Sequence, residues 1–296
     1  LNQHAIIRHQ RTRGSGRISV KSTSGRTRIN RLYQEGAARI RVPDHPGRSD
    51  LEAVIINTAG GVTGGDDLAW EATAGADTHL TVTTQACEKI YKAAQDTANV
   101  SVKLQVAAGA TLNWLPQETI FFDQARLSRT IEAQLHGNAS LLLVEPVIFG
   151  RRAMNETVRY GLWHDTWRIR HNGELIHAEN VRLSGEVAQI LDRNASLEGH
   201  TALATLALVG NHAEGKLEGA RALMSSAPDC IGGASFWTVA EASKLIVRVA
   251  APDGYTLRKA LIPLVNHLAS TGDTQAADTG SATGARLLAV PKIWSL

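Results

Sequence analysis

Cysteine is scarce in this chain: two in 296 residues, Cys87 and Cys230, with no CxxC spacing. That excludes a disulfide framework and a sequence-local zinc site, and it fits a reducing compartment. Long apolar runs are also lacking. The best stretches, 141–144 and 203–209, have the length of strands, far short of the roughly eighteen apolar residues that read as a membrane span. The N-terminus, LNQHAIIRHQRTRGSGR, carries charge where a signal peptide needs its apolar segment. A cytoplasmic protein without membrane attachment is expected.

Signatures of catalysis are missing as well. There is no G-x-S-x-G, no H-E-x-x-H and no histidine motif beside either cysteine, so no activated nucleophile is legible. Eleven histidines are scattered along the chain without ligand spacing. The net charge of +3 conceals an asymmetry, because residues 1–48 hold eleven Lys/Arg against two Asp/Glu. That basic end lacks the interleaved aromatics of a single-strand platform and any helix-turn-helix or zinc-finger pattern. Nucleic acid is therefore not expected as a partner, and residues 1–24 read as a basic segment with freedom to be flexible.

What the chain does have is apolar content, 43% of residues, enough for a large core in a single domain over 1–296 with no linker to divide it. Period-two alternation is cleanest over 99–106, where Val100, Val102, Leu104 and Val106 share one face. Further strands are predicted over 51–57, 68–73, 78–84, 127–135, 141–145, 157–171, 175–183 and 245–250. Asn172-Gly173 between two such runs is the dipeptide of a type I′ hairpin. The pattern predicts a mostly β fold with two α-helices in the C-terminal third, over 213–225 and 255–270, the second kinked at Pro263. Residues 272–284 read as a loop. Sandwich, barrel and β-helix-like stack all remain open at this point.

Three places carry candidate function. The segment 58–67, TAGGVTGGDD, has two glycine pairs, Gly60-Gly61 and Gly64-Gly65, followed by Asp66. It lacks the Lys-Ser/Thr of a P-loop and no helix follows it, so a turn that exploits positive φ or close approach is expected rather than a phosphate cradle. In the run 175–183 the odd positions, Leu175, His177, Glu179, Val181 and Leu183, fall on one apolar face, which puts an ionisable pair where burial is costly unless it is bonded or lines water. Glu145 closes the apolar run 141–144 before Pro146, which is expected to stop that strand. An enzyme using Asp66 or Asp67 as a base, or a ligand-binding module, remain alternatives to a non-catalytic scaffold on these residues alone.

Four segments, 57–68 (NTAGGVTGGDDL), 83–92 (TTQACEKIYK), 114–126 (WLPQETIFFDQAR) and 150–156 (GRRAMNE), together resemble the urease accessory protein family UreD, called UreH in some organisms. The resemblance runs from about Gly25 to the PKIW at 291–294. It implies a β-helix-like stack of many short strands, no enzymatic activity, and partnership with UreF, the GTPase UreG and urease apoprotein in nickel insertion. It implies no tightly bound cofactor, nickel being cargo in transit. A transit path needs weak, exchangeable ligation, and Asp66, Glu88, Glu145, His177 and Glu179 are its candidate residues. Three departures stand out: Asn155 where glycine is common, Asn113 where an acid is common, and LEAVIIN at 51–57 where many members carry a Cys-His pair. The last leaves no soft ligand in that strand.

Overall fold

The computed structural model describes residues 11–270 and 290–295. Its strands are β1 (Arg13–Thr23), β2 (Arg26–Gly36), β3 (Ala38–Arg41), β4 (Leu51–Asn57), β5 (Asp67–Ala74), β6 (His79–Thr84), β7 (Glu88–Ile90), β8 (Ala98–Val106) and β9 (Thr111–Leu115). There follow β10 (Thr119–Phe121), β11 (Arg126–Leu135), β12 (Ser140–Phe149), β13 (Tyr160–His171), β14 (Glu174–Glu186), β15 (Ala202–Val209), β16 (Ile231–Val239) and β17 (Ala242–Ala251). The helices are α1 (Val187–Leu191), α2 (Leu217–Ser225) and α3 (Gly254–Ala269).

Successive strands alternate between two walls. β5, β8, β11 and β13 stack in parallel on one wall, while β4, β6, β9 and β12 do so on the other. Each coil thus climbs one strand per wall, and the fold is a β-solenoid. Antiparallel strands finish it: β2 on β1 and β14 on β13 for the first wall, and β15, β17 and β16 for the second. The β13–β14 turn is Asn172-Gly173, with φ of 48° and 89°, the two positive values a type I′ turn requires.

Parallel register stacks like residues into rungs. Trp70, Val102, Ile131 and Trp167 form one apolar rung on the first wall, facing Val82, Trp114, Leu143 and Ala207 on the second. Outside the second wall, α3 lays Leu257, Leu261, Leu264 and Leu268 over Leu142, Leu206 and Val247, and Trp294 joins that layer. Asp253 caps α3 by accepting from Thr256 N at 2.8 Å.

Several expectations are adjusted. The helix predicted from 213 begins at Leu217, after a 3₁₀ turn over Glu214–Lys216, and the short α1 is additional. Pro263, where a kink is expected, lies inside α3 without ending it. β12 does not stop at Pro146 but runs on to Phe149. Its parallel neighbour changes from β9, paired up to Leu143, to β10, paired from Val147, so a residue without an N–H is tolerated in between. In β14 a bulge places Ile176 between the pairs Arg170–Leu175 and Ile169–His177. Parity flips there, so Ile176 is buried and Leu175 exposed, contrary to the alternation read from sequence. Of the basic segment 1–24, residues 1–10 lie outside the described residues, and Arg13–Thr23 is strand β1. The loop read at 272–284 also lies outside them. No described helix is long and apolar enough to cross a membrane.

Candidate functional site: a polar rung inside the solenoid

Next to the apolar rung described above, the interior turns polar. On the first wall Arg129 pairs laterally with Asp165; on the second Glu145, Thr205 and Arg248 follow one another across β12, β15 and β17. Beyond that rung apolar packing resumes with Ala98, Leu127 and Trp163 against Val147, Leu203 and Ala250.

Arg129 is the hub. It bonds Asp165 on its own wall, with Nε to Oδ1 at 3.0 Å, and reaches across the interior to Glu145 Oε2. Trp114 Nε1 donates to the other Glu145 oxygen at 2.8 Å. Burial pushes Glu145 up while Arg129 pulls it down and Asp165 opposes that pull, leaving the carboxyl raised to about 7. The indole Nε1 atoms of Trp163 and Trp167, on either side of Asp165 in β13, are buried and have no protein acceptor among the described residues.

Glu179 and His177 sit beside Trp167 and Ile169 of β13, next to the polar rung, which Glu179 joins through Arg248. Arg248 Nη2 bonds both Glu179 oxygens at 2.7 Å. Burial works to raise Glu179, but His177, Arg248 and their charges prevail and hold it below the usual range. His177 Nε2 lies 3.5 Å from Glu179 Oε2, without hydrogen-bonding geometry, and its ring meets the Trp167 edge. His177 lines an open cleft with Trp237, Lys244 and Arg248.

Glu88 lies apart, on β7. It lines a cleft of about 170 Å³ with Asn57, Gly60, Thr84 and Cys87. Asn57 Nδ2 donates to Glu88 Oε1 at 3.1 Å, and no described cation pairs with it. Burial pushes its pKa to about 7. Burial and the adjacent Glu118 push the Cys87 thiol to about 11, so it stays protonated and is a poor ligand at neutral pH. Glu118 is itself held by Arg258 of α3, with Nε to Oε1 at 2.9 Å.

Asp66 is a turn staple. Its two oxygens accept Thr12 N and Thr63 N, each at 2.8 Å. The glycines around it serve different needs. Gly60, Gly61 and Gly65 have positive φ, with open space beside Gly60, whereas Gly64 does not and is required because a Cβ there would meet Gln95 O at 2.1 Å. Asn155 takes the left-handed conformation at φ 52°, as the departure from glycine allows. Asn113 bonds Thr81 Oγ1 at 3.3 Å.

The structure therefore brings Glu145 and Glu179 onto neighbouring positions of one interior and leaves Asp66 and Glu88 elsewhere. Sequence reasoning missed Arg129, Asp165 and Arg248. A signal existed: Leu127, Arg129, Ile131 and Ala133 share a face, as do Trp163, Asp165, Trp167 and Ile169, which is the pattern that found Glu179. Among the described residues, no three or more His, Cys, Asp or Glu gather to hold a metal ion.

Fold and site together define a two-walled β-solenoid whose interior acids are met by arginines. The family model described as UreD urease accessory protein matches residues 12–279. The chain is 47% identical over 290 residues to a protein of Agrobacterium fabrum named urease accessory protein UreD, covering 98% of this chain and 93% of that one. Proteins of the same name from Rhizobium leguminosarum bv. viciae and Rhizobium etli are 49% and 50% identical, over 99% and 98% of this chain and 98% and 97% of theirs. The chain belongs to the UreD urease accessory protein family, whose members are accessory proteins and not enzymes.

Proposed function

We propose that this chain is a cytoplasmic scaffold that binds urease apoprotein together with UreF and UreG, and that nickel passes along it on weakly ligating acids toward the urease active site. Glu88 carries this reading. It is the one candidate acid whose described partner is a neutral side-chain amide, it lines an open cleft, and its carboxyl gives up a proton near neutral pH. A lone carboxylate of that kind exchanges a divalent cation readily, and the protonated Cys87 beside it does not convert it into a trap.

The interior acids have a different part. Glu145 and Glu179 are neutralised by Arg129 and Arg248, so they fix the shape and polarity of the interior. His177, half-buried at the cleft edge, and Asp66, committed to its turn, complete the proposed set as positioning residues.

Co-purification tests the scaffold. Expressed with urease subunits, UreF and UreG, the tagged chain is expected to retain all three in one complex and to be required for nickel-dependent urease activity. Recovery of full activity without it, or failure to retain UreF and urease, contradicts the reading.

A further inference from the structure

The N-terminal hairpin ends the first wall in an edge that no described strand covers. β2 pairs with β1 on one side and has no described strand on the other. It is pinned at its start, where Thr27 N donates to Ser49 O at 2.7 Å and His79 N donates to Thr27 Oγ1 at 3.0 Å. From Arg28 to Gly36 every residue is exposed.

Register sorts its side chains onto two faces. Ile29 is opposite Val20 and Leu32 opposite Ile18, so both lie on the face that continues the solenoid core. Yet they are 41% and 40% exposed, whereas Ile18 and Val20 are each 2% exposed. The opposite face is basic: Arg28 is opposite Lys21, and Arg31 opposite Ser19. Arg17 on that face is engaged by Glu71 at 3.5 Å. Lys21, Arg28 and Arg31 have no carboxylate partner among the described residues. The edge thus offers an unfilled backbone ladder, an apolar row that needs covering, and a cationic row that needs countercharge.

We propose that β2 is a strand-addition site for an extended acidic segment of a partner protein, in which acidic and apolar residues alternate. Addition of such a strand fills the ladder, lays its apolar residues beside Ile29 and Leu32, and sets its carboxylates beside Arg28 and Arg31, where opposite charges on adjacent strands are stabilising. A second copy of this chain is a poor occupant, because β2 carries three arginines against the single acid Glu35, so two such strands cannot supply one another's countercharge. Residues 1–10 are a poor occupant as well, since none of them is acidic. The bulge at Asn30, between the pairs Ser19–Arg31 and Val20–Ile29, breaks the ladder's regularity. It selects against indiscriminate edge pairing while leaving the charged and apolar rows on opposite faces.

The test uses the full chain and a fluorescent synthetic peptide of about ten residues alternating glutamate with valine, beside a lysine–valine counterpart. Strand addition predicts binding of the glutamate peptide only, with new amide-exchange protection at residues 28–36. In the double variant R28E/R31E, whose side chains are exposed and whose melting is expected to be unchanged, affinity for the glutamate peptide should fall about tenfold and preference should pass to the lysine peptide. Equal binding of both peptides, no binding of either, protection elsewhere, or a single-stranded oligonucleotide protecting the same amides more strongly would each overturn the proposal.

Discussion

Arg129 and Glu145 stand on opposite walls of the solenoid and meet in its interior, their side chains 6% and 4% exposed. With Asp165 they make a charged cluster sealed between two apolar rungs. Such a cluster is weak evidence for net stability, because desolvation offsets the attraction, but breaking it from one side strands a charge. Arg129→Met, which leaves Glu145 and Asp165 buried together, is expected to cost about 3–5 kcal/mol. Glu145→Gln keeps the shape and should cost about 1–3 kcal/mol. Denaturant unfolding of the two variants checks the order; equal and negligible losses would show that the cluster is open to water.

Glu88 makes a pH prediction with a definite sign. Its folded pKa lies near 7 against an ordinary 4.5. Between those values the folded protein holds a proton that the unfolded chain releases, so this group's contribution to stability falls as pH rises through the window. Glu88→Gln removes that loss. Above pH 7 the variant is expected to be more stable than the parent by of order 1–3 kcal/mol, and near pH 4 the two should match. Melting temperatures across that range check it, and a constant difference at all pH values would contradict it.

Trp294 fastens the end of the chain to the second wall. It is 1% exposed, its Nε1 donates to Thr83 Oγ1 and Leu115 O at 3.2 Å each, and Arg258 lies over its ring at 5.8 Å. Trp294→Ala is expected to cost about 3–5 kcal/mol. Because Arg258 also holds Glu118, exchange protection should drop at residues 117–118 as well as in α3. Loss confined to the C-terminus would show that the strap is local.

The glycine turn separates two physical demands. Gly60→Ala meets only the cost of positive φ, about 1 kcal/mol. Gly64→Ala drives a Cβ into the Gln95 carbonyl and should cost more, through displacement of backbone that has little room to yield. Thermal unfolding of the pair ranks them, and the reverse order would mean the turn relaxes around residue 64.

How much of this was legible beforehand follows from where the information resides. Alternation over 99–106 and the helical stripe of 257, 260, 261, 264, 265 and 268 are local, and both elements formed as read. Asn172-Gly173 carried its turn type in two residues. The bulge at Ile176 was invisible because it depends on how β14 meets β13, and one extra residue reversed which of Leu175 and Ile176 is buried. Pro146 failed as a strand terminator because its neighbours on β9 and β10 lie about thirty residues upstream in sequence. Pairings such as Arg129–Glu145 or Arg248–Glu179 are set by the stacking of coils, so an acid on an apolar face could be found from sequence while its partner could not.

On the proposed reading Glu88 takes up nickel in transit while the interior acids shape the path. It is tested most directly by urease activation in cells carrying Glu88→Gln, measured across nickel concentrations with complex assembly followed by co-purification. The expected result is a variant that folds, retains UreF and urease, and activates urease poorly at limiting nickel with recovery when nickel is abundant. Normal activation at every nickel concentration in an intact complex would contradict the claim.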